Sequence, residues 1–273
     1  MDKNISEVEF TIFDTETTGL EPASGDRIVE IAAIRFKGKE KIDEFQTLVN
    51  PGRKISEAAF AVNKITEDML KSAPRIEEVM PGFLGFIKAS CLCSYNAGFD
   101  LDFLNNELKL IGSAALEGII VVDVLKMARR LLPGLERYAL WFVADRLGIK
   151  IQQKHRAFSD VELTLGVFNK LNEILSAKGI SDFANFSNLF AINHAFLDNI
   201  IAKKIAEAQE AIDLGRKLKI KYLSSSGAEI SEREVIPKEI KQESNRSYLV
   251  GYCCLRKEER TFRIDGILHL ELL

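Results

Sequence analysis

The sequence predicts two unlike parts, a mixed α/β sheet flanked by helices and then a smaller β-domain. Three apolar strand patterns follow one another near the start, and strands then alternate with helices up to about residue 175. This order is typical of a mixed sheet with helices on its faces. From Lys219 onward the chain becomes a run of short strands, which indicates a second domain. We therefore predict domains over 1–175 and 208–273, joined by a helical linker over 176–207.

The elements of the first part follow from hydrophobic spacing and from the turn residues between apolar runs. Short apolar runs bounded by Pro, Gly or Asp predict strands, and apolar residues that recur every three or four positions predict helices. Three opening strands, joined as an antiparallel meander, are predicted over residues 8–14, 27–36 and 44–50. Two short strands are predicted over 91–95 and 118–122. Helices are predicted over 55–70, 75–87, 99–110, 124–132, 138–147 and 161–175, with breaks at Pro74 and Pro81.

The second part has the pattern of a small β-domain. Polar turns rich in Ser, Gly and charged residues separate its apolar runs. Its basic and acidic residues nearly balance, so it is not a basic arm that would bind nucleic acid through charge alone. Its strands are predicted over residues 219–223, 232–236, 247–254, 261–264 and 268–272.

The composition indicates a folded chain without a strong overall charge. Hydrophobic residues make up 47% of the 273 residues, which is enough for a core, and the formal net charge is -3. This charge neither points to nucleic acid nor excludes it, because small patches or metal ions can hold phosphates. No signal-peptide pattern opens the sequence and no apolar run could span a bilayer, so we expect a cytoplasmic protein without membrane contact. Four cysteines lack the C-x-x-C spacing of zinc sites, so we expect ordinary thiols at Cys91, Cys93, Cys253 and Cys254.

Two carboxylates flank a threonine at the end of the first strand. Side chains alternate between the two faces of a strand, so Asp14 and Glu16 leave it on the same side. Two like charges at this spacing are unfavourable unless a positive charge lies near them. A divalent cation is the natural partner, because hard cations prefer oxygen ligands.

Two further acidic residues and a histidine could complete such a site. Asp100 is predicted at the start of a helix after a strand, although an acidic residue there could simply complement the helix dipole. Ser159 and Glu162 fit a capping box, which would make Ser159 the N-cap and Asp160 the first helical residue. His155 would then lie in the preceding loop, from which its ring and the Asp160 carboxylate could converge on one site.

Three motifs in this order resemble those of the DnaQ-like DEDDh 3′–5′ exonucleases. They are Asp14-Thr15-Glu16-Thr17-Thr18-Gly19-Leu20, Asn96-Ala97-Gly98-Phe99-Asp100-Leu101-Asp102-Phe103-Leu104 and His155-Arg156-Ala157-Phe158-Ser159-Asp160. The resemblance covers about residues 8–175. It implies a ribonuclease-H-like fold and a hydrolase that releases nucleoside 5′-monophosphates from a 3′ end.

The same resemblance implies a role for each matching residue. Two divalent cations, Mg²⁺ or Mn²⁺, would be held by Asp14, Glu16, Asp100 and Asp160, and His155 would act as the general base. Two cations about 3.5–4 Å apart can stabilise both the attacking and the leaving oxygen of a phosphodiester. A free imidazole has a pKa of about 6.5, which suits the acceptance of a proton near neutral pH. The positions that would line a pocket for the terminal nucleotide are Thr17, Thr18, Leu20 and Phe103.

A second resemblance covers roughly residues 208–273. The segments Ser247-Tyr248-Leu249-Val250-Gly251-Tyr252 and Arg260-Thr261-Phe262-Arg263-Ile264-Asp265-Gly266-Ile267 are similar to the WYL domain. That family implies a small SH3-like β-barrel linked to regulation by nucleic acid or small ligands. The chain departs from the pattern at Ser247, where the family usually has Trp, and at Gly266, where it usually has Arg. A stacking and phosphate-contact surface is a further hypothesis, built from Arg256, Arg260 and Arg263 with Tyr222, Tyr252 and Phe262.

The expected partner is single-stranded or 3′-tailed nucleic acid, in DNA replication or repair. Two alternatives stay open at this point, a regulatory protein that senses nucleic acid or nucleotides and a phosphodiesterase that acts on short oligonucleotides. The preference for DNA or RNA and any association with a polymerase also stay open.

Overall fold

The computed structural model describes residues 3–116, 118–150, 155–192, 194–224, 228–243 and 246–273. Its first sheet has the strand order β3-β2-β1-β4-β5. The first three strands form the predicted antiparallel meander, and β4 and β5 run parallel to β1. The mixed sheet predicted from the sequence is therefore confirmed. Its strands are β1 (Glu9–Thr17), β2 (Ile28–Lys37), β3 (Glu40–Leu48), β4 (Cys91–Ser94) and β5 (Val121–Asp123).

Helices cover both faces of this sheet, because its central strands are apolar on both sides. Phe10 and Ile12 of β1 pack into a core built with α5 to α8, whereas Phe13 packs into a core built with α3 and α4. The described helices are α1 (Glu57–Asn63), α2 (Glu67–Leu70), α3 (Ile76–Ile87), α4 (Ala97–Leu110), α5 (Val124–Leu131), α6 (Leu140–Arg146), α7 (Ala157–Ala177), α8 (Phe183–Phe190) and α9 (His194–Asp213). None of the helices in the described part of the chain is long and apolar enough to cross a membrane.

Two helix predictions were wrong for physical reasons that lie outside the local pattern. The predicted break at Pro81 is absent, since α3 continues through it and buries Met80 and Phe83 on either side. The single helix predicted over residues 55–70 is two helices. Lys64 adopts a left-handed conformation that ends α1, and the Thr66 side chain caps α2.

The second part is a five-stranded antiparallel sheet in the order β10-β6-β7-β8-β9. Its strand β7 is far longer than predicted, because the ladder shifts register after Pro237 and so accommodates a residue without an N–H. Helix α9 covers one face of the sheet through Ala208 and Ala211. The finer description, an SH3-like barrel, stays a prediction. The strands are β6 (Leu218–Leu223), β7 (Ile230–Glu243), β8 (Arg246–Cys253), β9 (Glu258–Arg263) and β10 (Ile267–Leu272), with a 3₁₀ turn (Ile264–Gly266) before the last.

The two sheets share packing through the segment predicted as a linker. Helix α8 buries Phe186 and Phe190 in the same core as β1, and Leu223 and Leu268 of the second sheet join that core. Arg130 of α5 is buried, and its Nη2 donates to the Leu223 carbonyl at 3.2 Å. The second sheet is thus packed against the first domain.

Candidate active site

Three of the predicted carboxylates meet where β1 ends and α7 begins. Asp14 and Glu16 lie on the face of β1 that α7 covers, and Asp160 lies in the first turn of α7. Each of the three offers an oxygen, and these oxygens all lie within 4.8 Å of one another. Asp160 is buried and the other two are half-buried. An oxygen-only donor set of this kind fits a hard divalent cation.

The fourth carboxylate approaches from the other layer of the fold. Asp100 is in the first turn of α4 and is buried. Its Oδ1 accepts hydrogen bonds from the Thr15 backbone N–H at 3.0 Å and from Thr15 Oγ1 at 2.7 Å, and its Oδ2 accepts one from Ser94 Oγ at 2.6 Å. Thr15 points away from Asp14 and Glu16 by strand alternation, so it can hold Asp100 against the strand that carries them. Asp100 does not belong to the group of three oxygens, but it lies beside it.

The protein groups alone make the site unfavourable for so many negative charges. Burial, and then the charges of Asp100, Glu16 and Asp160, hold the pKa of Asp14 well above its usual range. Burial, followed by the charge of Asp160, raises the pKa of Glu16 to about 8. Burial also raises the pKa of Asp100 to about 6, although the hydrogen bonds from Ser94 and Thr15 oppose this shift. A bound cation would relieve this repulsion directly.

A buried glutamate fixes the start of α7, and sequence reasoning missed it. Glu30 of β2 accepts hydrogen bonds from Arg156 Nε at 2.9 Å, from Arg156 Nη2 at 2.8 Å and from the Ala157 backbone N–H at 3.2 Å. It is paired across the ladder with Glu16, so it joins α7 to the strand next to the site. The signal available in the sequence was a lone acidic residue in an otherwise apolar strand.

This contact also corrects the predicted capping box. The helix begins at Ala157 rather than after Ser159, and its N-cap is Arg156. The helix has no side-chain cap, and the Glu30 carboxylate takes that role by accepting from the first-turn N–H of Ala157. Asp160 is therefore the fourth helical residue rather than the first, and it still lies in the turn that faces β1.

His155 lies directly before the N-cap of α7. Its backbone is in the left-handed region, with φ of 48°, and its side chain is exposed. Its ring nitrogens do not belong to the group of ligand atoms formed by Asp14, Glu16 and Asp160. Its neighbour Arg156 is held by Glu30, which ties the loop to the sheet within one residue of the histidine. The role of His155 as a general base stays a prediction.

The predicted nucleotide-pocket residues separate into two pairs. Leu20 and Phe103 border an open cavity of about 440 Å³. Thr17 and Thr18 instead brace the loop after β1, since Thr17 Oγ1 donates to the Gly19 carbonyl at 2.6 Å and Thr18 Oγ1 lies 2.9 Å from Asp26 Oδ1. A Cβ at Gly19 would lie only 2.2 Å from the Asp26 carboxylate, so a larger residue there would displace the group that Thr18 contacts.

We predict that the metal-free protein loses stability as the pH rises from about 5 to about 8. The folded-state pKa of Glu16 is about 8 against an ordinary value of 4.5. The stability linked to its protonation is therefore fully present below 4.5 and is lost as the pH rises through about 8. The measurement is the unfolding midpoint in EDTA across this window for the wild type and for Glu16→Gln. The substitution should flatten the curve, and Mg²⁺ or Mn²⁺ should restore the wild type most at the alkaline end. Identical curves for the two proteins would contradict this.

Comparison with known proteins agrees with this geometry. A family model described as Exonuclease matches residues 11–168, and one described as WYL domain matches residues 203–272. The chain is 42% identical over 166 residues to the DNA polymerase III subunit epsilon of Treponema pallidum, a match that covers 60% of this chain and 76% of that protein. It is 33% identical over 258 residues to a PolC-type DNA polymerase III of Caldanaerobacter subterraneus, which covers 92% of this chain and 18% of the polymerase. The chain thus spans less than a fifth of that polymerase.

Two solved structures share the fold. The zinc-bound complex of Escherichia coli ExoI with ssDNA has a TM-score of 0.57 at 16% identity and covers 97% of this chain and 64% of that chain. The nuclease domain of 3′hExo, a DEDDh family member bound to rAMP, has a TM-score of 0.56 at 17% identity and covers 63% of this chain and 94% of that chain. These likenesses identify the first sheet and its helices as the ribonuclease-H-like fold. The chain therefore belongs to the DnaQ-like family of 3′–5′ exonucleases, and it carries a WYL domain after its exonuclease domain.

Proposed function

We propose that this protein is a metal-dependent exonuclease that removes nucleoside 5′-monophosphates from the 3′ end of single-stranded or 3′-tailed nucleic acid. The observation that carries the proposal is the meeting of Asp14, Glu16 and Asp160 oxygens within 4.8 Å, with Asp100 beside them. DNA is the favoured substrate, because the curated relatives are DNA polymerase III proteins and the ExoI neighbour is a complex with ssDNA. A role in replication or repair follows from the same relatives.

The four carboxylates would hold two divalent cations, Mg²⁺ or Mn²⁺. When bound, such cations supply charge stabilisation for the oxygens of the phosphodiester and lower the pKa of water. The protein residues have separate tasks around them. Asp14, Glu16 and Asp160 supply oxygens, while Thr15 and Ser94 orient Asp100 through three hydrogen bonds. We assign His155 the task of accepting a proton from the attacking water.

The terminal nucleotide is proposed to enter the cavity next to the loop after β1. Leu20 is exposed and offers apolar surface to a base, whereas Phe103 is fully buried and would support the cavity wall from behind. Thr17 and Thr18 would position the ligand indirectly, because their hydroxyls hold the loop that carries Leu20.

The proposed accessory role of the WYL domain is to bind nucleic acid beyond the active site. Arg256, in the turn between β8 and β9, and Arg260 of the edge strand β9 are exposed, which supports a phosphate-contact surface at this edge of the sheet. Phe262 is buried, and Tyr222 packs edge-on against it at 5.3 Å, so these two rings belong to the core of the second sheet rather than to a stacking platform. Tyr252 is the exposed ring that supports stacking on this surface.

The test is an assay of the purified chain on 3′-tailed and blunt DNA and RNA, labelled at the 5′ end, with Mg²⁺ or Mn²⁺. We expect a ladder that shortens one nucleotide at a time from the 3′ end, released 5′-monophosphates, and complete loss of activity in EDTA. Products that appear only from very short oligonucleotides would indicate the phosphodiesterase alternative. Tight binding without any hydrolysis would indicate the sensor alternative. Faster degradation of long than of short substrates, reduced by added salt, is the expected mark of the WYL domain.

A further inference from the structure

Four cationic side chains gather where the two domains meet. Lys126 and Arg130 project from α5, Lys204 projects from α9, and Arg263 lies at the end of β9. Arg130 and Arg263 contact Asp265 of the 3₁₀ turn that joins β9 to β10, Lys204 contacts the Ile267 carbonyl that follows this turn, and the Asp265 charge acts on both lysines. The carboxylate of Asp265 in that turn pairs with Arg263, and its Oδ2 lies 3.7 Å from Arg130 Nη1. Among the residues that the structure describes, Asp265 is the acidic residue that lies within ion-pair distance of the cluster.

Arg130 is the most buried member of the cluster, and it is incompletely paired. Its side chain is only 6% exposed. Nη2 donates to the Leu223 carbonyl at 3.2 Å, whereas Nε is buried and has no hydrogen-bond partner among the described residues. A buried guanidinium N–H without a partner costs free energy unless a ligand satisfies it.

Gly266 makes room for this guanidinium. A Cβ at this position would lie 2.9 Å from Arg130 Nη2, 3.1 Å from the Leu223 carbonyl oxygen and 2.7 Å from the Tyr222 ring. The glycine stands where the WYL pattern usually has Arg. In this structure, Gly266 leaves the space that the Arg130 guanidinium of the exonuclease domain occupies.

The two lysines are half-buried and are held only by neutral groups. Lys126 Nζ donates to the Ala191 carbonyl at 2.9 Å, and Lys204 Nζ donates to the Ile267 carbonyl. Neither lysine forms an ion pair within the part of the chain that the structure describes. Burial lowers the pKa of each to about 8, which is the sign of an ammonium group short of negative charge.

Other carboxylates near the cluster are already engaged. Asp123 Oδ1 accepts from the backbone N–H groups of Leu125 and Asn96, as the N-cap of α5. Asp182 caps α8, and Glu207 pairs with Lys203 at 3.9 Å. Among the described residues, Asp265 is therefore the carboxylate paired directly with this cluster, while Asp123, Asp182 and Glu207 act on the two lysines from beyond ion-pair distance.

We propose that this interface is a binding site for a small phosphate anion, held by Lys126, Arg130, Lys204 and Arg263. Such an anion would satisfy the unpaired Arg130 N–H and neutralise the cations that Asp265 leaves unbalanced. Arginine suits phosphate because its planar group donates two parallel hydrogen bonds. A small anion is favoured over a nucleic-acid strand because packed elements from both domains enclose the cations. Free phosphate and the phosphate of a mononucleotide share this chemistry.

The experiment is calorimetric titration of the full-length protein with inorganic phosphate in EDTA, at constant ionic strength set with chloride. We expect saturable binding at one site. Lys204→Met should weaken it about tenfold or more, because a hydrogen bond to a charged group contributes on this scale. Lys203→Met is the matched control, since Lys203 is the preceding residue on α9 and is 79% exposed. Arg130→Met is a second test variant, on α5. Arg129→Met is its matched control, because Arg129 is the preceding residue and is exposed.

Further titrations separate the sources of the phosphate. A nucleoside 5′-monophosphate that binds tighter than phosphate, with the same loss in Lys204→Met, would identify a nucleotide as the ligand. Equal affinities would identify free phosphate. Absence of saturable binding, equal weakening by Lys203→Met and Lys204→Met, or a response only to an oligonucleotide without a terminal phosphate would overturn the proposal. These titrations do not measure hydrolysis. A protein that binds phosphate but has no nuclease activity would therefore refute the proposed function and leave the phosphate site standing.

Discussion

Asp14→Asn is expected to abolish hydrolysis and, at the same time, to stabilise the metal-free protein. Asp14 lies close to Glu16 and Asp160, and burial together with the charges of Asp100 and of these two residues raises its pKa well above the usual range. An amide of the same shape removes that repulsion but gives up an anionic metal ligand. Metal ions supply several kcal/mol to such transition states, so activity should fall by about 10³-fold or more.

The stability change is the sharper half of this prediction. A substitution that merely damaged the fold would lower both activity and the unfolding midpoint. Asp14→Asn should raise the midpoint in EDTA near pH 8, by about 2–4 °C for each kcal/mol of repulsion relieved. It should also abolish the further rise that Mn²⁺ or Mg²⁺ gives the wild type.

Glu162→Gln is the matched control for this experiment. Glu162 lies on α7 two residues after Asp160, and it is exposed. It should leave turnover, the midpoint in EDTA and the response to metal unchanged. Full activity of Asp14→Asn, or a midpoint below that of the wild type in EDTA with metal stabilisation intact, would refute the metal site.

The sequence predicted those features of the fold that depend on periodicity. Strand alternation in β1 placed Asp14 and Glu16 on one face, and the structure agrees. The meander of β1 to β3 followed from three apolar runs with short loops. The continuation of α3 through Pro81 and of β7 past Pro237 did not follow, because packing and a register shift override the local preference of proline.

The site was predictable as a set of residue types and only partly as a set of contacts. Asp100 and Asp160 were found through their motifs, yet the hydrogen bonds that orient Asp100 come from Thr15 on β1 and Ser94 on β4. The start of α7 was misplaced because its first-turn N–H is satisfied by Glu30, far away in sequence. Contacts of this kind depend on the tertiary fold, and no local pattern of one sequence encodes them.

His155→Ala is expected to lower turnover by about 10²–10⁴-fold, the usual contribution of a general base. The histidine lies just before α7, in a loop that the Arg156–Glu30 pair fastens to the sheet, so removal of its ring leaves that anchor in place. All four carboxylates are also retained. The rise of the unfolding midpoint with Mn²⁺ should therefore match that of the wild type, in contrast with Asp14→Asn.

The pH profile separates a proton acceptor from a residue that only positions substrate. A proton acceptor at this position should give wild-type turnover a pH-dependent limb, because only the unprotonated ring is a competent base. The residual activity of His155→Ala should lack that limb and increase instead with hydroxide concentration. His269→Ala, at an exposed position of β10, should retain the wild-type profile. If turnover of His155→Ala changed by less than about threefold, or its profile kept the same limb, another group would have to accept the proton.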